Sequence, residues 1–356
     1  MFTNIAAFIF VLGILVFIHE LGHFLVAKKV GIKVERFSLG FPPNIFSKKW
    51  GETTYCIGII PLGGYVKMAG EQPTDEATGA PEEFMSKSVW QRAAVIFAGP
   101  FMNYILAIFL LISIYYFGGR PLFDENRVLV GEVTEDGPAF AAGLQGDDQI
   151  ISINGLGVNR FDSLANQIYK VVEKPLELSW VHQNDTITKT ITTKLTTIPN
   201  SSGGMDTIGI IGFTQKVIGY EKYPLTQSIT EGFLMTHTLV YTTFDFLRKV
   251  LSMQVSPKAI GGPLFIAQQS GKEARKGASS LFFFMALLSV NLAVINIVPI
   301  PVLDGGQLVF LAIEKLRGSP LSMKARITAQ QVGIIVVLGL IVMVTYNDIV
   351  RVIQGF

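Results

Sequence analysis

Four long apolar runs set the first limit on what this chain can fold into. A helix needs about 20 predominantly apolar residues to cross the hydrocarbon of a bilayer. Ile5 to Val26, Ala93 to Tyr116, Leu281 to Ile300, and Val332 to Tyr346 with its flanks each come close to that length. The 356 residues are 49% hydrophobic and 16% charged, with a mean hydropathy of +0.45, which excludes a wholly water-soluble protein. The expected architecture is an α-helical membrane protein whose four transmembrane helices have the lipid bilayer as partner. With 29 Lys and Arg against 27 Asp and Glu, the net charge of +2 gives no reason to expect nucleic acid as a partner. A single cysteine, Cys56, rules out a disulfide framework and a cysteine-built structural zinc site within one chain.

Lys and Arg beside the spans set the orientation. Lys28, Lys29, Lys33, Arg36, Lys48 and Lys49 follow the first run and Arg92 precedes the second, which assigns that loop to the cytoplasm. The link between the third and fourth runs carries Lys315, Arg317, Lys324 and Arg326 and agrees, whereas residues 1–4 are uncharged. Both termini are therefore expected on the exterior or periplasmic side. Met1-Phe2-Thr3-Asn4 lacks the basic start of a signal peptide, so the first run is expected to remain as a permanent span.

These signals divide the chain into residues 1–118 with two spans and a cytoplasmic loop, an outer domain over 119–222, a connector over 223–280, and 281–356 with the last two spans. In the outer domain, Arg127 to about Phe213 alternates short apolar runs (Val128 to Val133, Gln149 to Ile153, Leu176 to Val181, Ile187 to Leu195) with turn residues, and one helix is expected near Asp162 to Val172. That pattern reads as a small β-rich domain. Leu225 to Leu251 puts Ile229, Phe233, Val240, Phe244, Leu247 and Leu251 at helical spacing, with Glu231, Asp245, Arg248 and Lys249 between them. This predicts an amphipathic helix on the membrane surface. Asn200 to Gly204 reads as a turn-rich loop and Glu71 to Glu83 as an acidic loop, neither carrying chemistry.

The first run contains His19-Glu20-Leu21-Gly22-His23. In an H-E-x-x-H helix the two imidazoles face one way and can bind one zinc ion, while the glutamate can take a proton from the water. A lone histidine in an apolar helix is commonly a hydrogen-bonded core residue. Three ionisable groups in one span change that balance, because each is costly in hydrocarbon. Two imidazoles leave a catalytic zinc short of one protein ligand. Val26 and Lys29 do not continue the longer metzincin pattern, and Glu35 and Glu52 lie beyond the span. Asp304 stands in Asn296-Ile297-Val298-Pro299-Ile300-Pro301-Val302-Leu303-Asp304-Gly305-Gly306, where the third run breaks at prolines. Such a break is tolerated at membrane depth only where protein or water satisfies the freed backbone. Alone, Asp304 reads as a turn or helix-cap aspartate; beside the histidines it completes a His₂Asp site with one position open to water.

These motifs resemble the site-2 protease family of intramembrane zinc metalloproteases, in particular its RseP branch. Tyr55-Cys56-Ile57-Gly58-Ile59-Ile60-Pro61-Leu62-Gly63-Gly64-Tyr65-Val66-Lys67-Met68 is similar to the family's membrane-associated β-loop, and Gly99-Pro100-Phe101-Met102-Asn103 to its second-span motif. Val130-Gly131-Glu132-Val133 with Gly137 to Gly155 resembles a bacterial PDZ domain, and only one is found where the best-known members carry two. Ile260-Gly261-Gly262-Pro263 resembles the segment before the family's third span. The resemblance implies His19, His23 and Asp304 as Zn²⁺ ligands and Glu20 as general base, and the place of His19 and His23 toward the cytoplasmic end of the first span predicts an active site toward the cytoplasmic leaflet.

Substrate contacts are expected from Asn296 and Asn291, and from Gly63, Gly64 and Tyr65 at a strand edge able to pair with an unwound substrate. The implied substrates are single-pass membrane proteins, such as a membrane-bound anti-sigma factor, or remnant signal peptides. A peptide C-terminus is a further partner for the PDZ domain. A catalytically silent membrane PDZ scaffold or chaperone, which would have no need of Glu20, stays open on the sequence alone.

Overall fold

The computed structural model describes residues 2–71, 78–199, 205–254 and 260–354. The Asn200 to Gly204 loop and residues 72–77 of the acidic Glu71 to Glu83 loop fall outside the described residues. The chain forms two compact units, Met1–Ile114 with Leu225–Phe356, and Tyr115–Pro224.

The first unit holds α1 (Phe2–Lys29), β1 (Val34–Trp50), β2 (Thr53–Met68) and α2 (Val89–Ser113). The second holds β3 (Arg120–Phe123), β4 (Val128–Val133), α3 (Pro138–Ala141), β5 (Gln149–Ile153), β6 (Leu156–Gly157), α4 (Phe161–Tyr169), β7 (Pro175–His182), β8 (Asp185–Thr192), β9 (Lys194–Pro199), β10 (Met205–Ile210), β11 (Phe213–Gln215) and β12 (Val217–Glu221). The chain then returns to the first unit with α5 (Leu225–Leu251), α6 (Pro263–Lys276), α7 (Ala278–Ile297), α8 (Asp304–Arg317) and α9 (Met323–Gln354).

Among the described residues, 4 helices are long and apolar enough to cross a membrane: α1, α2 with its continuation to Gly118, α7, and α9 to Val350. Their outward surfaces keep large apolar side chains exposed, among them Phe10, Phe109, Phe283, Ile335 and Val342. A surface of that kind is stable against lipid rather than water. Inside the bundle, Val11 and Leu15 of α1, Ala107 and Leu111 of α2, and Met285, Ala286 and Val290 of α7 form a continuous core. Gly22 lets α1 approach α2 closely, since a Cβ there would run into the Ala98 carbonyl and the Met102 side chain. Ser88 starts α2 with a capping box in which it and Gln91 bond reciprocally.

Three expectations change. The third span ends at Ile297, three residues before the apolar run does, because Pro299 and Pro301 cannot continue the helical hydrogen bonds. The basic link to the fourth span is mostly helical: Lys315 and Arg317 end α8, and Lys324 and Arg326 already belong to α9. α5 does not stand alone: Ser228, Gly232, Thr236 and Thr243 form a buried seam, and Gly232 packs on Ile112 of α2. Small residues allow helices this approach. The charges that argued for a surface helix are partly spent within α5, where Asp245 pairs with Arg248 and with buried Lys249.

β1 and β2 are long, bent and antiparallel. Their register places residues 36–39 of β1 between two parts of β2, with Phe37 opposite both Val66 and Tyr55. The 64–68 segment pairs only with β1 among the described residues and so forms an edge.

The second unit carries a sheet in the order β11-β4-β5-β7-β8, with β6 on β5. Its core is Val128, Val130, Ile150, Ile153, Leu176, Leu178 and Trp180, covered by Leu164 and Ile168 of α4. The apolar run from Ile187 to Leu195 spans the end of β8 and the start of β9. It breaks at Thr193, whose hydroxyl donates to the Val171 carbonyl at 2.6 Å, and continues as β9 in a separate pair with β10.

Gly22→Ala should force α1 away from α2 at a cost of about 1–3 kcal/mol, the usual penalty of overpacking. Thermal unfolding in detergent should show a lower midpoint for the variant.

Candidate metal centre

The helix places His19 and His23 one turn apart on the face of α1 toward α2, and each is only 9% exposed. Gly99 of α2 sits against both imidazoles; a Cβ there would overlap His23 Nε2 and come within 2.8 Å of His19 Cε1. Asp304 arrives from the far end of the chain. After α7 stops, Ile300 N bonds to Val298 O and Leu303 N to Ile300 O, which turns the chain sharply back. Gly305 and Gly306 permit the turn, because Cβ atoms there would overlap the Ile297 and Ile300 carbonyls. Asp304 thus occupies the first turn of α8, where its carboxylate also faces the positive end of the helix dipole.

The three groups converge. His19 Nε2 lies 3.2 Å from His23 Nε2 and 3.2 Å from Asp304 Oδ2, and His23 Nε2 lies 3.6 Å from the same oxygen. Zinc bonds of about 2.0–2.2 Å in a tetrahedral shell put neighbouring donors about 3.3–3.6 Å apart, so the triangle has the size a zinc ion requires. Asp304 Oδ2 is buried without a hydrogen-bond partner, and a buried orphan acceptor is costly unless something else satisfies it. His23 Nδ1 lies 2.8 Å from the Val95 carbonyl, which leaves its Nε2 lone pair free when the imidazole is neutral. The residues present therefore fit zinc, with a fourth position open.

Around this triangle, Glu20 has the Val66 backbone of β2 within hydrogen-bonding reach. The Cα of Gly64 faces it so closely that a Cβ would stand 3.0 Å from Glu20 Cγ. Asn296 Nδ2 lies 3.5 Å from His19 Nε2. The other expected substrate residues are placed differently. Asn291 accepts a 2.7 Å bond from Thr243 of α5. Tyr65 accepts from Arg36 at 3.2 Å and stacks on Phe41, and Gly63 lies against that same Phe41 ring.

Other residues matter that motif reading passed over or named without a role. Asn103, fully buried in α2, has Nδ2 3.2 Å from His19 Nδ1. Arg92 of α2 grips Glu314 of α8 with two bonds, 3.1 and 2.5 Å, and both side chains are buried or nearly so. This clamp ties the far end of α8 to α2 and so helps fix Asp304 at its other end. No local pattern could have paired two residues 222 positions apart.

A zinc-sized His₂Asp triangle with a glutamate beside it, buried among apolar helices, defines a membrane-embedded metallopeptidase. The chain belongs to peptidase family M50, whose model matches residues 7–340. It is a zinc-dependent endopeptidase of the membrane. The regulator of sigma-W protease RasP of Bacillus subtilis is 30% identical, with 99% of each chain covered. A candidate zinc metalloprotease of Clostridium perfringens is 36% identical over 94% of this chain and 95% of its own. Among solved structures, the PDZ domain of an SdrC-like protein from Listeria innocua matches 27% of this chain and 100% of its own at 23% identity, with a TM-score of 0.21.

Arg92→Met leaves Glu314 buried and unpaired and should destabilise by about 3–5 kcal/mol, whereas replacing both residues by Met should cost much less. Thermal unfolding of the single and double variants in detergent measures the difference.

Proposed function

We propose that His19, His23 and Asp304 hold the catalytic zinc and that Glu20 is the general base in hydrolysis of a peptide bond within or beside a substrate's transmembrane helix. The observation that carries this reading is the convergence of the three donors on one zinc-sized triangle. Zinc held there supplies Lewis acidity toward the scissile carbonyl and a water acidified toward neutrality. Glu20 takes the proton of the attacking water and passes it to the leaving amine nitrogen.

A substrate helix hides its carbonyls in internal hydrogen bonds, so it must open before it can react. The 64–68 edge, with Gly64 against Glu20, is suited to pair with the opened strand. Asn296, on the lip of the triangle, is suited to bond its backbone. Asn291 has a partner on α5, which supports a bracing role for it instead.

The biological setting belongs to the same proposal. Membrane-bound anti-sigma factors and remnant signal peptides are the substrates, the termini face the periplasm of the inner membrane, and the site lies toward the cytoplasmic leaflet, so that a cut releases a fragment inward. The relative from Bacillus subtilis, named a regulator of sigma-W protease, supports the signalling arm. Residues 127–213 form a PDZ domain that restrains long substrates or recruits peptide C-termini. Its deletion should let untrimmed substrates be cut if it filters, and should abolish cutting if it recruits.

Zinc content and cleavage of a transmembrane peptide in detergent test the centre. The parent should hold about one zinc and cut. Glu20→Gln should keep the metal with cleavage down by at least about 100-fold, the lower range for loss of a general base, and Asp304→Ala should lose the metal. An active Glu20→Gln enzyme, or a parent without zinc, would overturn the reading.

A further inference from the structure

The two imidazoles are oriented by different means. His23 turns Nδ1 to a main-chain carbonyl, Val95 O at 2.8 Å, a partner that no side-chain substitution removes. His19 turns Nδ1 to a side chain, that of Asn103, 84 positions away on α2. Asn103 has no exposed surface at all, and its Oδ1 is buried without a hydrogen-bond partner while its Nδ2 lies 3.2 Å from His19 Nδ1. An amide oxygen and nitrogen exchange places on a half-turn about χ2. That half-turn replaces a contact between two nitrogens by an Nδ1–H···Oδ1 hydrogen bond and gives the orphaned oxygen its donor.

Resting on the reading that His19, His23 and Asp304 hold zinc, we propose that Asn103 is the positioning residue of His19. Its side-chain oxygen accepts the Nδ1 proton, which fixes the tautomer whose Nε2 lone pair faces Asp304 Oδ2 and His23 Nε2. A metal-ligating imidazole needs that partner to hold ring orientation and basicity. The main chain of Asn103 is held independently: its carbonyl accepts a 2.7 Å bond from fully buried Ser289 on α7. Side-chain variants of Asn103 leave that bond in place, so α2 and α7 stay joined while the hydrogen bond to His19 is removed. The carboxamide therefore acts on the metal through His19, not on the packing of the bundle.

The test is zinc affinity and the rate of zinc loss to a chromophoric chelator, measured on the full chain in detergent for the parent, N103L and N103D. Leucine has similar bulk and no acceptor; aspartate keeps an acceptor in place and strengthens it. N103L should bind zinc about 10–100-fold more weakly, the usual loss on removing such a partner, with faster release. N103D should bind at least as tightly as the parent. Cobalt substituted for zinc should show an altered ligand-field spectrum in N103L and a parent-like one in N103D. Parent-like zinc affinity in N103L, or a tenfold loss in N103D, overturns the positioning role while leaving the metal centre intact. Should N103L fail to fold, N103D alone decides by the same criterion. A parent that binds no zinc overturns the metal reading and this inference with it.

Discussion

Two imidazoles and a carboxylate taken out of water together, inside a bundle of apolar helices, must find partners or be expelled. His19, His23 and Asp304 stand at mutual distances of 3.2–3.6 Å, and Asp304 Oδ2 is buried without a hydrogen-bond partner. A divalent cation would satisfy all three donors at once. Much of the bundle is shaped to permit it. Gly22 and Gly99 clear backbone and ring space between α1 and α2, Gly305 and Gly306 fold the chain back beneath α7, and the Arg92–Glu314 clamp sets where α8 lies. Each is a small or charged residue whose role is legible only from what stands opposite it.

The proline break after α7 serves the same centre. Within hydrocarbon an irregular backbone is tolerated where protein encloses it, and here the turn from Ile297 to Leu303 closes on its own carbonyls before α8 begins. The result delivers a carboxylate on a helix terminus, a rigid mount, to a pair of histidines on another helix. Beside it, the bent β1–β2 sheet carries its 64–68 edge up to Glu20.

The spans, the H-E-x-x-H pair and the remote aspartate were all legible from the sequence because each rests on local chemistry. Apolar length marks a membrane helix, i and i+4 mark one helix face, and prolines mark where a helix ends. Extent was read less well: α7 stops at Ile297 and the link after it is helical, since an apolar run does not distinguish a helix from the proline-bearing turn beyond it. Asn291 and Asn296 looked alike as buried amides five residues apart, yet five residues on a helix rotate the side chain by more than a third of a turn to the other side. One faces α5 and the other His19.

What the sequence by itself determined is therefore the solvent, the class of chemistry and its donors: a membrane chain with two histidines, a glutamate and a distant aspartate. The tertiary structure alone decided which groups meet. It brings Asp304 across 281 positions to His23, pairs Arg92 with Glu314, and sets Asn103 behind His19. Propensity and periodicity act over a few residues, whereas these contacts depend on how whole helices pack, and close approach is granted by glycines whose significance appears only when the opposing backbone is in view.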